Sequence, residues 1–275
     1  MPPLRANQEN RYLAYWEFIR GRPAVASTPP NLQIARNNVC NFHCVYCRDH
    51  FPGNTFPRHH VSEERYRELL DLVPRTDVVS FFGISEFTVD PRFFELVELA
   101  ASAGATLTIN TNGSVCTPRH VDVLARYPGR LNLVFSIDAA TPAVFLRMRG
   151  ADFWRVLANV RDYVRGLAAR RDRTSLVFTF VVARSSLADM VPALYLARTL
   201  GFDEIRYYLL HEYDGMDWKT VAADGRTFDY RDECVSGFVD EYARARAEVV
   251  RAADLLGFGI ELPAVPVAAA PGASS

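Results

Sequence analysis

Short β-rich apolar runs alternate along the chain with longer stretches whose apolar residues recur at helical spacing. From Asn31 the order is NLQIAR, SEERYRELLDLV, DVVSFF, PRFFELVELAASAG, ATLTIN, TPRHVDVLARY, RLNLVFSID, DFWRVLANVRDYVRGLAARR, SLVFTFVV, SLADMVPALYLARTLG and DEIRYYLL. This pattern predicts six strands separated by helices. The strand runs are mostly continuous in apolar residues, as expected of a parallel sheet covered on both faces. Connections of this length call for parallel strands joined by right-handed crossovers. Several helices carry readable starts: Ser62 before Glu63 and Glu64, Asp90-Pro91, and Thr117-Pro118, each placing a capping side chain before the first turn. Six such units fall short of a closed eight-stranded barrel, so the expected fold class is α/β, an open partial (β/α)6 TIM-like barrel with parallel strands and a C-terminal helical extension. Its active site is expected at the C-terminal ends of the strands.

The flanks read differently. Residues 9–20 place Tyr12, Tyr15, Trp16 and Ile19 at helical spacing, which predicts an amphipathic helix laid by that face on the main body, ended by GRPAVASTPP. Residues 231–257 read as one long charged helix, FGIELP as a final short strand, and PAVPVAAAPGASS as a disordered tail. The expected organisation is therefore an N-terminal helical extension over 1–30, a core over 31–212, a C-terminal helix and strand over 213–263, and the tail over 264–275.

Composition narrows the function classes. A chain of 275 residues that is 49% hydrophobic and 23% charged supports a sizeable core. Its formal net charge of -1 offers no surplus to hold a nucleic-acid backbone. The start lacks the apolar core and small-residue cleavage site of a signal peptide, and no stretch is long and apolar enough to span a membrane, so the expected location is cytoplasmic. Three of the five cysteines fall within eight consecutive residues, which suits a metal site in a reducing compartment better than a disulfide framework. Cys116 and Cys234 stand alone and read as ordinary part-buried thiols.

Directly after the first strand comes Cys40-Asn-Phe-His-Cys44-Val-Tyr-Cys47, a C-x3-C-x2-C loop. Three thiolates this close can surround an inorganic cluster, whereas a fully cysteine-ligated cubane requires a fourth, so one iron is left open. The rival from the residues alone is zinc held by the three cysteines with His43, His50, His59 or His60. Zinc motifs usually add a distant ligand pair, which is missing here.

The spacing resembles the radical S-adenosylmethionine (SAM) family, in which the open iron chelates the amino and carboxylate groups of SAM. An aromatic before the third cysteine, here Tyr46, is also characteristic. The resemblance runs over roughly residues 30–210. FFGISEFTVDP occupies the place of a Gly-Gly-Glu-Pro-like segment, matching at Gly83, Ser85 and Glu86 but with Ser for the second glycine and Phe87 for the proline. By this resemblance its backbone and carboxylate meet the SAM amino group. Asn110-Thr111-Asn112-Gly113 is similar to a segment at the same rim, with amides facing cofactor or substrate. Ser136-Ile-Asp138 looks like the family's Ser-x-Asp segment, followed by Arg149-Gly150 and Phe153. The resemblance implies that Ser136 and Arg149 hold the SAM carboxylate or ribose and that Asp138 lines the substrate cavity. It also places Val182 and Leu209 against the adenine.

The resemblance implies a four-iron four-sulfur cluster and SAM as cofactors. It implies reductive cleavage of SAM to a 5′-deoxyadenosyl radical, and hydrogen abstraction from an organic substrate, a natural-product precursor, sugar or peptide. A flavodoxin- or ferredoxin-type electron donor is the expected partner. The opening segment resembles members that continue into a cysteine-rich domain with auxiliary clusters. Such a domain is missing after FGIELP, which favours redox-neutral outcomes such as rearrangement, elimination, epimerisation or decarboxylation. Two readings from other classes accompany this one: a catalytically silent SAM- or peptide-binding accessory protein, and a zinc-stabilised binding module.

Overall fold

Strands β1 (Asn31–Ile34), β2 (Val78–Phe81), β3 (Thr106–Thr111), β4 (Leu131–Ser136), β5 (Thr174–Val182) and β6 (Glu204–Leu209) fall on the six expected runs of the computed structural model. A small antiparallel hairpin of β7 (Lys219–Val221) and β8 (Thr227–Asp229) follows, then β9 (Gly259–Glu261). The sheet order is β1-β2-β3-β4-β5-β6-β9. The expected parallel α/β class stands, with the FGIELP strand adding a seventh member to the six. Helices run α1 (Ala6–Ile19), α2 (Glu63–Leu72), α3 (Phe93–Ala103), α4 (Pro118–Ala125), α5 (Pro142–Arg149) and α6 (Phe153–Gly166). They continue with α7 (Met190–Leu200), α8 (Tyr230–Glu233) and α9 (Val239–Leu256). The structure describes residues 4–48, 57, 59–210 and 218–266, so most of the expected C-terminal tail lies outside the described residues. None of the described helices is long and apolar enough to cross a membrane.

The chain divides into two units, the first comprising Met1–Asn41, Phe56–Phe135 and Ala158–Leu176. Here β1, β2 and β3 pair in parallel register, and Val79, Phe81, Leu107 and Ile109 are all buried. Phe81 stacks on Phe87 with ring centroids 4.2 Å apart and meets Phe93 edge-on, a geometry that adds to simple area burial. Ser62 and Thr117 cap α2 and α4 as expected, accepting from the backbone N–H groups of Arg65 and His120. Asp90 differs: α3 starts at Phe93, and the Asp90 carboxylate accepts from the Arg92 N–H while pairing with buried Arg36 at 2.8 Å.

Helix α1 is turned opposite to expectation. Tyr12, Tyr15, Trp16 and Ile19 are 60, 58, 53 and 56% exposed, while Asn10 and Glu17 are buried. The segment after α1 makes no strand, so its backbone groups need other partners. Asn10 supplies them, accepting from Thr28 N at 2.8 Å and donating to the carbonyls of Thr28 (2.9 Å) and Arg75 (3.0 Å). Glu17 accepts from Ala26 N (2.7 Å) and Ser27 N (3.1 Å). Satisfying these buried polar groups outweighs burying the aromatic stripe.

The second unit comprises Phe42–Thr55, Ser136–Leu157 and Val177–Ser275. In it β5, β6 and β9 pair in parallel, β9 docking with Ile260 opposite Ile205. Met148, Ala183, Leu210, Trp218, Phe228, Tyr230 and Cys234 form an apolar cluster. The single long helix expected over 231–257 is broken into α8, a 3-10 turn at Val235–Gly237, and α9. Burial of Cys234, Val235 and Phe238 pulls the chain out of helical register there. Arg184 satisfies carbonyls freed by the break, donating to Asp232 O (3.0 Å) and Gly237 O (2.5 Å). The helix expected from SLADMV onward likewise opens as a 3-10 segment, Arg184–Asp189, before α7.

The inverted orientation of α1 has a measurable consequence. Asn10→Ala is expected to cost about 1–3 kcal/mol of stability, because it orphans buried backbone groups. Trp16→Ala is expected to stay within about 0.5 kcal/mol, as for surface substitutions generally. Urea denaturation of both variants checks this; a larger loss for Trp16→Ala contradicts the orientation.

Candidate active site

In the first unit the sites expected from sequence converge on one carboxylate. Gly83 follows β2 so closely packed on Ala35 that an added Cβ would lie 2.9 Å from the alanine Cβ, so a glycine is required there. Glu86, 3% exposed, accepts from Thr88 N (3.1 Å), Thr88 Oγ1 (2.6 Å), Thr111 Oγ1 (2.8 Å) and Asn112 N (2.6 Å). Its own N–H donates to Val39 O at 3.1 Å. Glu86 therefore ties the approach to the cysteine loop, the turn after β2 and the end of β3 together. Its carboxylate is taken up by these donors, whereas the resemblance implied a contact to the SAM amino group.

Asn112 is buried next to it. Its Nδ2 donates to Asn41 Oδ1 at 3.0 Å and makes a long contact to Cys40 Sγ at 3.9 Å, while its Oδ1 accepts from Ser114 N at 2.9 Å. Gly113, at φ 71°, completes the turn. Asn110 sits partly buried in β3, in register with Val134, and Ser85 is also partly buried.

The second unit holds Cys44, Tyr46, Cys47, Ser136, Asp138 and Arg149. The cysteine loop is pinned to the end of α5 by Val45 N donating to Met148 O at 3.0 Å, and it turns through Cys47 N to Cys44 O at 2.9 Å. Phe42 packs edge-on against Phe145 of the same helix. Thr141 caps the start of α5 and Gly150 ends it at φ 67°, delivering Arg149 at the last turn, where a cation suits the exposed carbonyls. Arg149 is 6% exposed and Asp138 1% exposed. The guanidinium donates through Nη1 to Cys44 Sγ and to Tyr46 Oη, each at 3.1 Å, and through Nη2 to the Ser136 carbonyl. Nε lies at ion-pair distance, 3.1 Å, from Asp138 Oδ2 without hydrogen-bond alignment.

Asp138 is held from every side. It is the one non-glycine with positive φ among the described residues, at 60°, a conformation with a real cost for an L-residue. Its N–H donates to Thr179 O at 3.2 Å, its Oδ1 accepts from Val181 N at 2.8 Å, and its Oδ2 accepts from the Tyr46 hydroxyl. This is the carboxylate that the resemblance assigned to the substrate cavity; it is 1% exposed. Burial pushes the Tyr46 phenol well above its ordinary value, opposed by Arg149 and reinforced by Asp138. For Arg149 burial disfavours the charge, but Cys44, Tyr46 and Asp138 outweigh it and hold the guanidinium well above the usual range. Val182 and Leu209 are register partners at the ends of β5 and β6, Val182 buried and Leu209 partly so.

The remaining candidates separate from this set. Cys234 is a core thiol donating to Tyr230 O at 3.2 Å. Cys116 is half-buried, and burial pushes its thiol up to about 12. His59 and His60 are exposed and pair through backbone with Asn38 and Asn37, His43 is exposed, and His50 lies outside the described residues. Among the described residues no group of three His, Cys, Asp or Glu side chains is gathered as a metal site. The donor chemistry of the cysteine loop nevertheless fits an iron–sulfur cluster with one open iron. It offers three thiols from one short turn, with a buried guanidinium donating to one sulfur and an amide directed at another.

Sequence reasoning did not reveal that Glu86 and Asp138 turn inward. It also missed the supporting role of Thr88 and Thr111, whose spacing carries no signal of its own.

Residues 34–168 match the model of the Radical SAM superfamily. A curated relative, the AdoMet-dependent heme synthase of Methanosarcina barkeri, is 26% identical over 165 residues, covering 59% of this chain and 45% of the relative. Among solved structures, Streptococcus suis SuiB bound to S-adenosylmethionine superposes with a TM-score of 0.66 at 14% identity, covering 93% of this chain and 54% of SuiB. The enzyme anSMEcpe, solved with AdoMet and a peptide, gives 0.61 at 16% identity, covering 84% of this chain and 63% of anSMEcpe. The chain thus spans about half the length of the first relatives it matches, and the likeness to these structures is one of fold.

Two outcomes follow from the geometry. Glu86→Gln is expected to lose about 1.5–3 kcal/mol in denaturant unfolding, since it weakens charge-assisted bonds to a buried turn. Cys116, with its thiol near 12, exposes only about one thiolate in ten thousand at pH 8, so iodoacetamide labelling read by mass spectrometry stays slow there and rises with pH.

Proposed function

We propose that the chain, whose residues 34–168 match the model of the Radical SAM superfamily, is an enzyme that reductively cleaves SAM and uses the resulting 5′-deoxyadenosyl radical to abstract hydrogen from an organic substrate. The family implies a four-iron four-sulfur cluster and SAM. The observation that carries the reading is the C-x3-C-x2-C loop after β1, inside the matched span, with buried Arg149 directed at Cys44. When bound, the cluster supplies the electron for cleavage.

On this reading Cys40, Cys44 and Cys47 ligate three irons. Gly83, Ser85 and Asn110 in the first unit, and Ser136 and Leu209 in the second, are the residues we assign to contact with the cofactor, with Glu86 and Asn112, and Asp138 and Val182, fixing the elements within each unit. The buried residues exclude water from the reacting atoms. A peptide or other natural-product precursor is the favoured substrate class, because SuiB is solved bound to the precursor peptide SuiA and anSMEcpe with a peptide. A flavodoxin- or ferredoxin-type protein in the cytoplasm supplies the electron. A second reading, a catalytically silent SAM- or peptide-binding accessory protein, draws on Ser85 and Phe87 in the altered loop and on the internal engagement of Glu86.

The test is anaerobic reconstitution with iron and sulfide, then incubation with SAM and dithionite. The native chain is expected to form 5′-deoxyadenosine and Cys44→Ala none above background. A loaded cluster without 5′-deoxyadenosine favours the accessory reading, and failure to take up a cluster refutes both.

A further inference from the structure

A buried guanidinium is costly unless each of its donors is used. Arg149 uses its Nη2 on the Ser136 carbonyl and holds its Nε at ion-pair distance from Asp138 without a hydrogen bond, while Nη1 lies between Tyr46 Oη and Cys44 Sγ, 3.1 Å from each. The direction of that last donor is locked. Asp138 is fixed by Val181 N–H and by the Tyr46 hydroxyl in a positive-φ backbone, and Gly150 ends α5 directly after the arginine.

We propose that Arg149 is a positioning residue that raises the reduction potential of the cluster through a charge-assisted N–H···S hydrogen bond to Cys44. The inference rests on the cluster reading above. One-electron reduction takes the cluster from the 2+ to the 1+ state, with the electron supplied by an external donor and no proton transferred. The added negative charge is partly delocalised onto the cysteine sulfurs, so a fixed positive charge and N–H donor at one sulfur stabilises the reduced state. Hydrogen bonds to sulfur are a recognised lever on such potentials. This role differs from gripping the SAM carboxylate, because it operates before SAM binds.

The experiment is an EPR-monitored redox titration, without SAM, of the reconstituted full-length chain and of Arg149→Met and Arg149→Lys, with iron and sulfide counted in each. Arg149→Met is expected to disfavour reduction by about tenfold, a downward shift of about 59 mV for a one-electron couple, with Arg149→Lys between it and the native chain. Clusters that load normally and titrate as in the native chain overturn the inference while leaving the cluster reading intact. A native chain that takes up no cluster overturns both. Should Arg149→Met not fold, pulsed EPR on native protein grown with 15N-arginine decides: a 15N coupling to the reduced cluster that disappears in Arg149→Lys supports the hydrogen bond, and its absence from the native spectrum overturns it.

Discussion

The pairing of Arg149 with Asp138 is the constraint on which the arrangement around Cys44 and Tyr46 depends. Neither charge can be buried alone, and each fixes the other's neighbours. Asp138 accepts the backbone N–H of Val181 and so ties the chain after β4 to β5. Arg149 reaches the Ser136 carbonyl, Tyr46 and Cys44, and so ties the end of α5 to β4 and to the cysteine loop. The positive φ at Asp138 fits this account. A strained backbone persists where surrounding bonds over-determine it, and this residue is bonded through its carboxylate to β5 and the cysteine loop and through its own N–H to Thr179 O.

Glu86 plays the corresponding part in the first unit by a different means. Its carboxylate accepts hydrogen bonds from hydroxyl and backbone N–H donors of Thr88, Thr111 and Asn112. That solution ties Asn112 firmly, and through it Asn41 and the first cysteine. Each unit thus contains an inward-facing carboxylate, Asp138 beside a guanidinium and Glu86 among hydroxyl and backbone N–H donors.

The strands and the metal-binding loop were legible in the sequence because their signals are local. Continuous apolar runs mark buried parallel strands, and cysteine spacing within one turn needs no tertiary knowledge. The helix break at Cys234–Phe238 was not legible, since periodicity continued through it and the competing force was burial of Val235 and Phe238. Nor was the orientation of α1. Hydrophobic spacing nominated Tyr12, Tyr15, Trp16 and Ile19 as the inner face, whereas the backbone needs of residues 26–28 and Arg75 drew Asn10 and Glu17 inward. The residue types at Glu86 and Asp138 were readable, but the direction of a carboxylate depends on which donors the fold brings to it.

That distinction sorts the residues selected from sequence. Glu86, Asn112, Asp138, Arg149 and Val182 are buried, with the bonding of Glu86, Asn112, Asp138 and Arg149 directed to protein atoms, which is the character of groups that hold shape. Ser85, Asn110, Ser136 and Leu209 remain partly exposed at or just beyond the C-terminal ends of β2, β3, β4 and β6, as do Cys40, Tyr46 and Cys47. In a parallel α/β sheet those strand ends are where ligands bind. Substitution in the buried set removes bonds that hold elements of the fold together.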